Sequence, residues 1–268
     1  MVMAQAAVQA PIVDEIAQAQ RAARKDFLWK FTLTWAVIIA GIGFVIWGTG
    51  NADPEFTIKW GPFILGGVGL TIFICVTSII GATILAILGA LGRLSVNPFL
   101  NGIASLYVSL VRGTPLIVQI YFIFFALPLM GIVLDAVPAG IIALAFNYGA
   151  YMTEIFRAGI QAVPKGQREA AQALGMPERL IMRRIVLPQA TRIVVPAIGN
   201  DFVSMIKDSA LVSVVGLQEL LWRSQTVGRS NQQLIQALLI AALVYWALTI
   251  VFSYFQARLE TRLAKGDR

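Results

Sequence analysis

The sequence predicts an all-α polytopic membrane protein with six transmembrane helices, from the scarcity of charge and from its clustering. Only 13% of the 268 residues are charged and 58% are hydrophobic, whereas a soluble domain carries about 25% charge. The clustering leaves uncharged runs at 31–52, 60–92, 113–134, 136–153 and 230–257. Each approaches or exceeds the roughly 20 apolar residues that a helix needs to cross a bilayer. A third observation removes whole classes of enzyme: there is no histidine, hence no histidine acid–base chemistry and no histidine-ligated metal. The single cysteine, Cys75, lies in an apolar run and excludes a disulfide framework or thiol metal cluster within one chain. No metal site is expected.

The stretch before Phe31 mixes Asp14, Glu15, Arg21, Arg24, Lys25 and Asp26 and lacks the organisation of a signal peptide. Residues 1–27 fit either an amphipathic surface helix, with Val8, Ile12, Val13 and Ile16 among the charges, or a frayed tail. The first span follows at 31–50. The second, 62–92, exceeds what the bilayer requires, so tilt or an interfacial extension is expected. Its Gly66, Gly67, Gly69, Gly81 and Gly89 favour close helix packing. A weakly polar stretch, 94–111, is expected along the inner interface before the chain turns inward at Arg112-Gly113-Thr114-Pro115. Spans three to six are placed at 113–132, 136–157, 190–210 and 233–256.

Orientation follows from Lys and Arg, which are in excess on cytoplasmic flanks. With both termini inside, 17 of the 21 basic residues fall on the inner side; Lys59, Arg223 and Arg229 fall outside, and Lys207 falls within a span. The net charge of +7 therefore reflects topology and contact with anionic membrane lipid. No basic-aromatic motif points to nucleic acid.

Polar residues inside the spans are the candidates for function. Asp201 lies 12 residues past Gln189, about 18 Å along the helix axis, near the membrane mid-plane. An isolated charge there costs about 3 kcal/mol, so it should face a cavity or a partner helix. Asp208, seven residues on, shares its face, and Lys207 is somewhat off it. These residues form either a polar path for a charged solute or a buried ion-pair network locking helices together. Asn147, Tyr148, Tyr151 and Glu154 in span four and Thr114 and Gln119 in span three are further candidates. Glu154 also has the spacing of a helix-surface pair with Arg157. Arg112, Gly113, Thr114 and Pro115 form a second group, because a Gly-Thr-Pro break exposes backbone groups to a solute.

The loop at 164–188 should form a helix over 166–174 stopped by Gly175 in a left-handed conformation, then a second helix with Pro177 in its first turn. Ala170, Ala171 and Ala173 give a small-residue surface for close backbone approach, with Arg168 and Glu169 on its rim. Such a helix–turn–helix, anchored to two spans, suits docking to a partner.

Glu169-Ala170-Ala171, three residues, Gly175, nine residues, Ile185, one residue and Leu187-Pro188 resembles the EAA loop of bacterial ABC importer permeases at every spacing. Arg112-Gly113-Thr114-Pro115-Leu116-Ile117-Val118-Gln119, the stretch Tyr151–Ile160, and Lys207-Asp208-Ser209-Ala210-Leu211 resemble the polar amino acid branch of that family. The resemblance covers roughly 62–257 and implies a type I ABC importer core of five spans. Residues 1–58, with one additional N-terminal helix and an outer loop, lie outside that core; 59–257 form the transmembrane domain, and 258–268 a cytoplasmic tail.

The resemblance further implies that the EAA loop couples this chain to a separate ATPase. It implies a complex of two permease subunits, identical or homologous, two ATPases, and an outer amino-acid-binding protein, in a bacterial inner membrane. ATP and magnesium would sit on the ATPase partner and no cofactor on this chain. The sequence contains no Gly-Lys dipeptide, hence no Walker A motif. The implied function is import of a polar or charged amino acid; the alternative from another class is an ion-coupled secondary transporter.

Overall fold

The computed structural model describes residues 2–48 and 53–264, which are helical throughout apart from turns and contain no strand. The chain divides into two units, Met1–Pro54 and Glu55–Arg268. The first is a single helix, α1 (Val2–Gly48). It runs without a break from residues 2–27 into the first apolar run. The side chains of Val8, Ile12, Val13 and Ile16, and residues 49–52 of that run, lie outside the described residues. Phe27, Phe31 and Trp35 follow one another along one exposed face at ring separations of 6.0 and 6.1 Å, the first pair stacked and the second tilted.

The second unit contains α2 (Pro54–Leu65), α3 (Val68–Leu94), α4 (Pro98–Arg112), α5 (Leu116–Tyr121), α6 (Ala136–Gln161), α7 (Lys165–Ala173), α8 (Glu178–Ile181), α9 (Leu187–Asp208), α10 (Leu220–Ser230) and α11 (Leu234–Ala264). Helix α5 continues as a π turn to Ala126 and a 3-10 turn to Met130. The core is α3 laid along α6, closed by α9 and the 3-10 segment Ser209–Val215. Ile74, Cys75, Ala82 and Ala86 of α3 meet Ala143, Leu144, Tyr148 and Met152 of α6 and Met205 and Ile206 of α9. Small residues let these backbones approach, as expected in lipid, where tight packing rather than apolar transfer joins helices. A Cβ on Gly81 would lie 3.1 Å from Ala145, and one on Gly89 would strike the Thr153 side chain. The opposite face of α3 carries exposed Phe73, Ile80, Ile84, Leu88 and Leu91, and α11 exposes Trp246, Ile250, Tyr254 and Phe255.

Among the described residues, the runs Pro54–Leu94 and Leu234–Leu263 are each long and apolar enough to cross a bilayer. Pro98–Arg112 and Leu116–Met130 pass that test only together, and their axes are bent by 108° at the Gly113–Pro115 break. The turn foreseen at that break is there, but 98–112 before it is a regular 15-residue helix.

The long second run is two helices, not one. Gly66 and Gly67 form a turn between α2 and α3, and the backbone of α10 lies against it. A Cβ on Gly67 would lie 2.6 Å from the Leu220 nitrogen and 2.7 Å from its Cα, contacts with backbone that cannot rotate away. Gly67→Val is therefore expected to destabilise the protein by about 1–3 kcal/mol. Gly69→Ala, two residues on with nothing within 4 Å, should be close to neutral. Thermal unfolding of the two detergent-solubilised variants checks this pair; equal midpoints would show that the close approach is not rigid.

Candidate functional site

The break between α4 and α5 is the first element of the site. Ending a helix at Arg112 and restarting at Leu116 leaves carbonyls without intrahelical donors. The buried Gln119 amide answers this: its Nε2 donates to Val111 O (2.8 Å), Thr114 O (3.1 Å) and Thr114 Oγ1 (2.9 Å). Its Oε1 accepts from Asn147 Nδ2 at 3.1 Å, tying the break to the middle of α6. Pro115 O accepts from the nitrogens of Val118 and Gln119. Among the described residues, the first-turn N–H groups of Leu116 and Ile117 are thus without a backbone acceptor.

Beside this break lies a cavity of about 310 Å³, walled by Thr114, Pro115 and Leu116 on one side and Asn147, Tyr148 and Tyr151 of α6 on the second. Asp201, Ser204 and Asp208 of α9 form the third wall. The seven-residue spacing places both carboxylates on this one face, since seven residues is close to two helical turns. Asp208 Oδ2 accepts from the Tyr148 hydroxyl at 2.7 Å. Asp201 Oδ2 is buried and has no hydrogen-bond partner among the described residues. A buried polar atom without a partner is uncommon enough to call for a cause. A cavity wall that receives a donor from a solute supplies one.

Of the path residues expected from sequence, Thr114, Pro115, Asn147, Tyr151, Asp201 and Asp208 line this cavity, and Gln119 braces it from behind. Arg112 lies over the Tyr151 ring, 5.2 Å from its centroid. Gly113 is the C-cap of α4, where a Cβ would lie 2.8 Å from Ser109 O. Two candidates fall elsewhere. Lys207 is exposed and is not on the cavity wall, because one residue from Asp208 turns it about 100° around the helix. Glu154 belongs to an ion-pair network, 2.7 Å from Arg157 and 3.1 Å from Arg93, that ties α6 to the end of α3. Sequence reasoning did not single out Ser204; its place one turn after Asp201 was the available signal.

The loop between α6 and α9 is the second element. Helix α7 ends at Ala173 with Leu174 as its C-cap, and Gly175 follows at φ +74°, the left-handed position expected of it. Pro177 is the N-cap of α8 rather than a first-turn residue. The chain then runs without a break into α9 through a π turn at Met182–Val186 that contains Ile185. Pro188 sits in the first turn of α9. Proline removes one helical hydrogen bond, and the wider π turn before it absorbs that loss.

Ala171 turns inward, with Val163, Ile181 and Val186, into a small core of its own. This corrects the expected alanine surface: Ala170 and Ala173 remain outside, with Glu169 exposed beside them. Arg168 pairs with Glu178, and Gln189 Nε2 donates to Gln167 and to Ile185 O, cross-linking α7 to α8 and α9. Leu187 is 42% exposed. Leu174 is 82% exposed, an apolar knob beside the turn that sequence reasoning missed.

These two elements, a polar cavity at a broken helix and a braced helical loop, define a membrane-transport subunit. The chain belongs to the family of binding-protein-dependent transport system inner membrane components, whose model matches residues 80–265. It is 40% identical over 219 residues to the arginine transport system permease protein ArtQ of Bacillus subtilis (strain 168), covering 81% of this chain and all of that protein. It is 40% identical over 203 residues to the L-cystine transport system permease protein TcyB of the same organism, covering 75% of this chain and 87% of that one. A chain of a crystallised amino acid ABC transporter with histidines superposes with a TM-score of 0.75 at 35% identity, over 79% of this chain and 99% of that one. The MetNI methionine ABC transporter in an inward-facing form shares the fold, with a TM-score of 0.59 at 16% identity.

Proposed function

We propose that this chain is the membrane-spanning subunit of an ATP-driven importer that carries a polar or charged amino acid into the cytoplasm. The observation that carries the proposal is the cavity, in a chain of this family, whose α9 wall holds two carboxylates, one with an oxygen that no group among the described residues satisfies. Asp201 and Asp208 accept the solute's cationic group. The first-turn N–H of Leu116, on the cavity wall, donates to its carboxylate, as helix N-termini do for anions. Lys207 lies off the wall and Arg112 is stacked on Tyr151, so the balance of charge facing the solute is negative. The relatives named for arginine and L-cystine transport, and the amino acid ABC transporter crystallised with histidines, agree with an amino acid solute.

The same proposal places six spans in a bacterial inner membrane with both termini inside, α1 being the span added to a core of five. Two such subunits, identical or homologous, work with two ATPases and an outer amino-acid-binding protein. The 164–188 loop docks on the ATPase, presenting Glu169, Ala170, Ala173 and Leu174. ATP and magnesium belong to that partner. Coupling is reciprocal, so solute at the cavity must shift the ATPase equilibrium as ATP shifts the cavity.

Family membership favours this over an ion-coupled secondary transporter. The test is uptake of labelled amino acids by proteoliposomes holding the complex and its binding protein, with and without internal ATP. Uptake that requires ATP and survives an ionophore is the expected result; uptake that ignores ATP and collapses with the ion gradient would overturn it.

A further inference from the structure

Arg112 is a cation at the rim of the polar cavity. It is the last residue of α4 and is exposed, and its guanidinium is in no ion pair among the described residues. The guanidinium lies over the Tyr151 ring, 5.2 Å from its centroid, and Tyr151 lines the cavity. An unpaired cation is thus held on a residue that shares the cavity with Asp201 and Asp208. Two contacts between α6 and α9 fix its level. The Tyr148 hydroxyl donates to Asp208 at 2.7 Å, and nearer the loop a Cβ on Gly159 would lie 2.5 Å from Val194. The two helices are therefore antiparallel, and between these contacts Tyr151 comes level with Ser204. Asp201 is three residues nearer the loop, about 4.5 Å along the axis, and Asp208 four residues the other way. Tyr151 holds Arg112 at a height between the two carboxylates.

A cationic group that binds Asp201 must later leave it. Taking one partner from a buried pair leaves an uncompensated charge, which is costly, so firm acceptance of a solute and its release pull in opposite directions. A second cation that takes the solute's place removes that cost. A guanidinium suits the task, because its planar fork meets both oxygens of a carboxylate. The other cations nearby are unsuited: Lys207 is turned off the cavity wall, and Arg93 and Arg157 are both committed to Glu154. Tyr151 is 42% exposed, and a cation over an exposed ring is held only weakly. Arg112 is therefore retained on the ring without being fixed there.

We propose that Arg112 is the counter-ion of release: it waits on Tyr151 while a solute occupies Asp201, and swings onto Asp201 as the solute's cationic group departs. This rests on the reading of the cavity given under the proposed function. Arg112 acts through Asp201 and is a positioning residue, setting the rate of turnover rather than the affinity for solute. Tyr151 keeps it from competing with the solute for the carboxylate.

The test uses the whole complex and the labelled amino acid that the parent takes up fastest among the common L-amino acids and L-cystine. Affinity is read by equilibrium binding to the complex without its binding protein, and turnover by ATP-driven uptake at saturating solute. Co-purification of the ATPase subunits shows that each variant is assembled. Arg112→Gln should lower turnover about tenfold or more, the loss expected when one partner of a close charge pair is removed, and Arg112→Lys should restore part of it. Affinity in Arg112→Gln should stay within about twofold of the parent, because a guanidinium on Tyr151 already leaves Asp201 free to bind. Tyr151→Leu removes the ring that holds Arg112, so affinity should weaken, and adding Arg112→Gln should bring it back. A ring that only packed against the solute would show no such rescue. In an Asp201→Asn background Arg112→Gln should cost little more, since the two members of one pair are not additive. Lys207→Met, which removes a positive charge away from the wall, is the control. A clear loss of affinity in Arg112→Gln would make Arg112 a ligand of the solute's carboxylate and overturn the proposal. Unchanged turnover, or a loss that adds in full to that of Asp201→Asn, would overturn it as well. If Asp201→Asn alone leaves both affinity and turnover unchanged, the reading of the cavity fails and this proposal with it.

Discussion

Asparagine in place of Asp201 is expected to lower ATP-driven uptake at least about tenfold while leaving the complex assembled. Asp201 Oδ2 is buried at the cavity and no donor among the described residues reaches it, so the substitution breaks no bond seen to hold the helices together. Its effect falls on the solute. A hydrogen bond to a charged group contributes about 1.5–3 kcal/mol, or roughly 10- to 150-fold in affinity. The amide is isosteric and still accepts a hydrogen bond, so what is lost is the charge. Lys207→Met is the control: Lys207 lies on the same helix but faces outward, and uptake should change less than about twofold. Asp208 has the Tyr148 hydroxyl as a partner, so Asp208→Asn should cost less than Asp201→Asn. Uptake by the Asp201→Asn complex within twofold of the parent would remove the cavity from the transport path. A fall in melting temperature with unchanged uptake would make Asp201 a structural residue instead.

Much of this site was legible because polar residues in an apolar run have few places to go. Asp201 and Asp208 had to share a face at a spacing of seven, and they share a cavity. Gly175 had to be left-handed, between a helix of small residues and a proline, and its φ is +74°. What was not legible was set by contacts between distant parts of the chain. Gly66 and Gly67 sit in the uncharged run 60–92, and no local signal separates a packing glycine from a turn. The break there is fixed by the approach of Leu220, from far along the chain. Gln119 looked like a path residue because it is polar, whereas its amide mostly satisfies carbonyls that the Thr114–Pro115 break sets free. Pro188 falls at the end of the expected 164–188 loop, before a span at 190–210, whereas the π turn before it lets one helix run through into α9. Leu174 is only the last residue of the expected 166–174 helix, with no local signal for its exposure. The core of that loop is filled by Ala171 and Ile181, which leaves Leu174 outside.

The coupling loop gives the second large effect, and two substitutions in it should fail for different reasons. Glu169 is exposed and makes no ion pair or hydrogen bond among the described residues, so Glu169→Lys leaves the loop folded and reverses the charge beside Ala170, Ala173 and Leu174. Uptake should fall about tenfold or more, as removal of a charge contact at an interface costs about 2 kcal/mol or more when the partner is left unpaired. Gly175→Val acts on the backbone. Nothing lies within 4 Å of a Cβ at Gly175, so no clash contributes, and the cost is the left-handed conformation itself, about 1–2 kcal/mol for a residue with a side chain. That is large for a loop whose own core is Val163, Ala171, Ile181 and Val186, and the ratio of the docking conformation to its alternatives falls roughly 5- to 30-fold. Asparagine tolerates this conformation better than valine, so coupling should rank Gly175 above Gly175→Asn above Gly175→Val. Limited proteolysis of the loop separates the two mechanisms: faster cleavage in Gly175→Val, unchanged in Glu169→Lys, with uptake lost in both. Full uptake in both variants would mean that the ATPase docks elsewhere. Equal losses in the asparagine and valine variants would mean that position 175 acts through its surface rather than through its backbone angle.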